Sequence, residues 1–170
     1  ELEKIMSVAS ENYSNYFWTL VDNGVISNDF ANTVSPEALE QKRFELDKDI
    51  MILEYLVAED QIIIFMASAD ALGAKVIEIP KANIEAYING YYNLLVNQAS
   101  SDAINDAAAK LYTVLIEPIL PFLGSTKKIG LVPSGILYKL PFQSLGKKEN
   151  GKMKYLVEDY SIFYLNDISS

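Results

Sequence analysis

The segment Lys128–Leu145, KIGLVPSGILYKLPFQSL, constrains the fold of this 170-residue chain more than any other stretch. An apolar, β-prone run from Ile129 to Val132 stops abruptly at Pro133-Ser134-Gly135, and a second apolar run is broken by Pro141. Proline has no N–H to give to a strand ladder, and glycine reaches positive φ at little cost. The chain must therefore turn sharply at the end of a buried strand. It then packs Ile136, Leu137, Leu140 and Phe142 close by.

The elements around this segment follow from apolar periodicity. Tyr13, Tyr16, Phe17, Leu20 and Val21 fall at helical spacing, and Ser35-Pro36-Glu37 reads as the start of a helix running to about Leu46. Ile50–Ala58, Gln61–Ser68 and Ala74–Ile79 read as strands joined by turns too short for a crossover, which makes them an antiparallel meander. Two amphipathic helices follow. Ile84, Tyr87, Ile88, Tyr91, Leu94 and Leu95 mark the face of the first; Ile104, Ala107, Ala108, Leu111, Tyr112, Leu115 and Ile116 mark the second. Ser100-Ser101-Asp102 starts the second helix, and Pro118 and Pro121 end it. Beyond the strand Lys128–Val132, a polar Lys- and Gly-rich loop spans 146–154, and Tyr155–Leu165 reads as a last strand. The fold class is α/β: a three-stranded meander, two helices and further strands of a mixed sheet, forming an incomplete α/β sandwich. Ser170 follows soon after a strand, so the chain reads as a piece of a longer protein.

Composition narrows the chemistry. The chain has no histidine and no cysteine, which excludes a Cys–His dyad, a Ser–His–Asp triad, Cys/His zinc sites and disulfides. A cysteine-free chain fits a reducing compartment such as the cytoplasm. No cofactor fingerprint is present, because the eight glycines are scattered, and no metal site is expected. Residues 1–60 hold 13 acidic and 4 basic side chains, whereas 61–170 hold 10 of each. An acidic N-terminal third argues against nucleic acid as a partner. No apolar run is long enough to predict a membrane helix.

Few side chains remain as candidates. Ser134 and Lys139 could in form make a Ser–Lys pair, but a turn serine bonding its own backbone is the simpler reading. Glu59-Asp60 and Glu158-Asp159 are adjacent carboxylates, which point to opposite faces of an extended chain and so read as solvated turn and strand-edge residues. Lys147, Lys148, Lys152 and Lys154 flank Asn150-Gly151 and read as a solubilising loop tip between two extended segments. Tyr87, Tyr91 and Tyr112 lie on apolar helix faces, where a tyrosine packs its ring and finds a partner for its hydroxyl.

Taken in order, these motifs resemble the CHAT domain, a caspase-like cysteine peptidase module often found behind helical repeats. The resemblance begins with Tyr13–Leu20 and Ser35–Leu46 and continues through Leu53-Glu54-Tyr55-Leu56-Val57-Ala58-Glu59-Asp60 and Ile79-Pro80. It extends over Leu111-Tyr112-Thr113-Val114-Leu115-Ile116-Glu117-Pro118-Ile119, Val132-Pro133-Ser134-Gly135, Leu140-Pro141-Phe142 and YLVEDYSIFYL to Ile168-Ser169-Ser170. It implies structural motif positions at Tyr55, Glu59, Pro133, Gly135, Leu140, Pro141 and Phe142. Two positions depart from the family pattern: Ser134 stands where Asp is usual, and Tyr138 where His or Asn is frequent. The family's catalytic His and Cys follow strands downstream of everything matched, so the resemblance implies a non-catalytic N-terminal half that is inactive alone. Residues 1–34 would be a helical lead-in and 35–170 the CHAT-like half. Implied partners are the catalytic half of the same protein, an upstream helical-repeat region, and a protein or peptide substrate of the parent enzyme. A catalytically inactive scaffold or interaction module is the alternative.

Overall fold

The computed structural model describes residues 15, 17, 18, 22, 46–70 and 72–165. The expected helix over 35–46 apart from its last residue, most of the N-terminal lead-in and Ile168-Ser169-Ser170 lie outside them. Strands β1 (Ile50–Val57), β2 (Gln61–Ser68) and β3 (Leu72–Glu78) form the antiparallel meander, with Tyr55 opposite Ile64 and Phe65 opposite Ala74. The third strand starts two residues before the expected Ala74, because Leu72 and Gly73 still pair with Ala67 and Met66.

Helices α1 (Lys81–Val96) and α2 (Ser101–Leu115) come next, and the Ser100 side chain accepts from the Ala103 N–H as the N-cap of α2. A 3₁₀ turn at Glu117–Ile119 and the short α3 (Leu120–Leu123) lead to Gly124, whose φ of +47° releases the chain. Strand β4 (Lys128–Val132) then runs parallel to β1, with Ile129 beside Met51 and Leu131 beside Leu53.

The chain after Leu145 sharpens the expectation in one place and departs from it in another. The segment read as a polar loop is a hairpin, β5 (Gly146–Glu149) with β6 (Lys152–Tyr155), turned at Asn150 and Gly151, both of positive φ. The stretch read as one strand from Tyr155 to Leu165 contains a helical turn, α4 (Leu156–Asp159), before β7 (Ser161–Tyr164). Glu158 causes the break, since its carboxylate reaches back to accept from the Tyr155 N–H at 2.7 Å. Glu158-Asp159 is therefore a helical pair and not a strand-edge one, and Asp159 pairs with Lys154 at 2.8 Å.

The main sheet has the order β3-β2-β1-β4-β7, antiparallel on one side of β1 and parallel on the other. This is the mixed α/β architecture expected. Alternating side chains explain why both faces are apolar. Met51, Leu53, Tyr55, Ile62, Ile64, Ile129 and Leu131 form one core with Ile84, Ile88, Leu111 and Leu115 of the helices. On the opposite face Ile52, Ile63, Phe65, Ala74 and Val132 pack with Phe17 in a second cluster.

Candidate functional site at the carboxyl ends of the parallel strands

Strands β1, β4 and β7 run in one direction, so Val57, Pro133 and Tyr164 all lie toward the same edge of the sheet. In open α/β sheets, ligand sites form beyond the carboxyl ends of the strands. The PSG turn leaves β4 there. Pro133 is buried, Gly135 takes a φ of +53°, and a 3₁₀ segment, Gly135–Lys139, buries Leu137.

Ser134 does something its sequence position does not reveal. Its Oγ accepts the Val57 N–H at 3.2 Å, across 77 residues, and so ties the turn to the end of β1. The expected local turn bond is replaced by a cross-strand one, and no hydrogen bond joins the hydroxyl to Lys139. A half-buried N–H beyond the end of the β1–β4 ladder gains a partner in this way.

The LPF segment packs beneath this edge. Leu140 and Phe142 are buried, and the Phe142 ring lies 5.2 Å from the Tyr55 ring at an interplanar angle of 50°. Tyr55 donates its hydroxyl to the Leu115 carbonyl at 2.9 Å, satisfying an oxygen at the end of α2 that has no helical successor. Burial pushes the Tyr55 hydroxyl far above the ordinary tyrosine range. Three of the expected motif positions, Tyr55, Leu140 and Phe142, thus share one core. Pro141 is half-buried beside them and offers its carbonyl to Ser144. Glu59 stays on the surface at the β1–β2 turn, where its backbone carbonyl accepts the Lys81 N–H at 2.8 Å.

Around the LPF turn lie polar residues with no motif of their own. Tyr91 of α1 reaches Ser144 at 2.8 Å, and the Phe142 N–H donates to Tyr164 of β7 at 3.3 Å. Burial raises the pKa of both tyrosines, and the N–H that Tyr164 accepts from Phe142 opposes the rise there. Tyr91 was legible as a packed ring with a hydroxyl to place; Ser144, Gln143 and Tyr164 carried no periodic signal.

The hairpin lysines are not a free basic patch. Lys147 pairs with Glu149 of its own strand at 2.9 Å and Lys154 with Asp159 of α4 at 2.8 Å, while Lys148 pairs with Asp106 at 2.6 Å and so ties β5 to α2. Tyr155 adds a bond to Asn105 at 3.1 Å. Among the described residues no three His, Cys, Asp or Glu side chains gather to hold a metal ion. No helix among them is long and apolar enough to cross a membrane.

The elements from α2 through the PSG turn, the LPF segment and β7 are also the ones that a known family shares. The family model of the CHAT domain matches residues 105–170. The resemblance read from the motifs therefore holds over the C-terminal part of this chain, and the residues before Asn105 lie outside the match. No curated protein matches the chain. The CHAT match takes in Ser134, Leu140, Phe142, Ser144 and Tyr164, whereas Tyr55 and Tyr91 reach them from outside it. What these residues can do chemically is limited. They offer hydroxyls already engaged in hydrogen bonds, and the chain has no thiol and no imidazole.

Proposed function

We propose that this chain is the N-terminal, non-catalytic portion of a CHAT-type caspase-like cysteine endopeptidase. The observation that carries the reading is a CHAT match over 105–170 in a chain that contains neither histidine nor cysteine. Nucleophilic attack on a peptide carbonyl by such an enzyme needs a thiolate poised by an imidazole and an oxyanion site. In this reading both groups come from sequence outside this chain, and the sheet described above supports them. β1, β4 and β7 would set the direction and spacing of the strands that bear them. The Ser134–Val57 bond and the Tyr55–Phe142 contact would fix the supporting edge. The Pro133, Gly135, Leu140, Pro141 and Phe142 positions would serve as scaffold, as would Tyr55 and Glu59. The catalytic portion of the same protein, an upstream helical-repeat region, and a protein or peptide substrate of the parent are the partners this reading entails, in the cytoplasm.

The test is to read the gene past the codon for Ser170 and then assay the product. A His-Gly segment and a later Cys are expected there. The chain alone should cleave no peptide in a mixed library, and the extended protein should cleave in a manner blocked by iodoacetamide. An inactive extended protein that still folds would favour the scaffold reading. Cleavage by the chain alone that Ser134→Ala abolishes would overturn both.

A further inference from the structure

Tyrosine hydroxyls grip the LPF turn from two sides. From the helix layer, Tyr91 lies 2.8 Å from Ser144 Oγ, and Ser144 Oγ donates to the Pro141 carbonyl at 2.7 Å. A serine has one proton to give, so Tyr91 is the donor to Ser144. From the sheet edge, Tyr164 accepts the Phe142 N–H at 3.3 Å and donates to Gln143 Oε1 at 3.0 Å. Every residue from Pro141 to Ser144 thus takes part in a bond to one tyrosine or to a group that one tyrosine holds.

The turn between them has little freedom to absorb strain. Pro141 has a restricted φ, the Ser144 N–H returns to the Pro141 carbonyl at 2.9 Å, and the Leu145 N–H returns to Phe142 at 3.1 Å. The Phe142 ring is fully buried against Tyr55. Tyr91 also lines an apolar groove of about 380 Å³ between α1 and α2, with Tyr87, Gly90, Leu94 and Lys110. Anything that shifts α1 at that groove moves the Tyr91 hydroxyl with it.

We propose that Tyr91 and Tyr164 are paired positioning residues that clamp the 141–144 turn, so that the placement of α1 is passed to the edge strand β7. Its consequence for activity rests on the peptidase reading, since β7 is the strand that the catalytic portion would adjoin. The coupling itself is a property of this chain.

The test is native-state amide exchange of the 170-residue chain with Tyr91→Phe, Tyr164→Phe, the double variant and Ser144→Ala. Tyr91→Phe should speed exchange at the Phe142 amide and at Leu165, whose N–H bonds the Leu131 carbonyl at 2.9 Å, by about threefold to tenfold, as the loss of one hydrogen bond allows. Ser144→Ala should reproduce this with both tyrosines intact. The effects of the two tyrosine variants should fall short of multiplying, because either one already frees the turn. Tyr92→Phe, an exposed ring on the same helix, should leave both amides unchanged. Acceleration confined to α1, full multiplicativity, or an equal response to Tyr92→Phe would overturn the proposal. A coupled chain whose extended form has no peptidase activity would overturn the functional reading and leave the clamp standing.

Discussion

Tyr55→Phe isolates one buried oxygen. The Tyr55 side chain is 1% exposed and donates to the Leu115 carbonyl at 2.9 Å. Removing the hydroxyl keeps the ring against Phe142 but leaves that carbonyl without its partner, at a cost of about 1–3 kcal/mol near neutral pH. The melting temperature should fall by roughly 2–4 °C for each kcal/mol lost in a domain of this size. Alkali supplies a second, opposite effect. Burial raises the Tyr55 pKa above that of the unfolded chain, so the stabilisation is complete below about pH 10 and declines as pH rises beyond it. There the unfolded state alone releases the proton, and folding loses about 1.4 kcal/mol per pH unit from this group. The phenylalanine variant lacks that proton. The advantage of the wild-type chain should therefore shrink by about 2 kcal/mol by about pH 11.5, enough to cancel or reverse it. Urea unfolding of both proteins from about pH 8 to about pH 11.5 reads the difference directly. Parallel stability curves across that range would refute a buried, proton-donating Tyr55.

Three glycines make separate predictions. At Gly146 an added Cβ would strike the Lys154 carbonyl and come within 2.9 Å of Tyr155 Cα, both backbone, so Gly146→Ala should open the β5–β6 hairpin and cost roughly 3 kcal/mol, seen as a lower urea midpoint and faster hairpin exchange. Gly135 has open space around it but a φ of +53°, so Gly135→Ala should cost about 1–2 kcal/mol and Gly135→Asn clearly less in the same urea titration. A Cβ on Gly130 would lie 2.8 Å from the Phe163 ring; Gly130→Ala should destabilise β7, and Phe163→Ala in the same chain should recover part of the loss in a double-mutant cycle.

Short apolar runs rich in β-branched residues and bounded by turns made the meander legible, and the bounds of Gln61–Ser68 match because its flanking turns, and not any periodicity, mark a strand buried on both faces. The faces of α1 and α2 were equally plain, and the sequence placed the Ser100 cap. The tip at Asn150-Gly151 was legible, but the pairing of the two extended segments beside it was not, because the Lys148–Asp106 bond that ties β5 to α2 spans 42 positions. The helical turn at Leu156–Asp159 was hidden for the opposite reason, since YLVEDYSIFYL has strong β propensity throughout and a single Glu158–Tyr155 bond overrides it. At the candidate site, the residues that pack were visible as motif positions. The residues that bond across it were not, because Ser134, Ser144 and Tyr164 acquire their partners only when distant strands and helices meet.

The strand order carries a consequence for how the chain reaches this structure. β1 sits third in the sheet yet is the first made of the described strands, and its two neighbours differ greatly in sequence distance. β2 follows after a short turn, whereas β4 pairs with it only after both helices have been synthesised. Loop closure over that span is entropically costly and slow compared with hairpin formation. The meander should therefore assemble first and wait with the β4 side of β1 unpaired, and the arrival of Lys128–Val132 should set the folding rate. Substitutions in β1 and β2 would then slow folding, while those in β7 would chiefly speed unfolding.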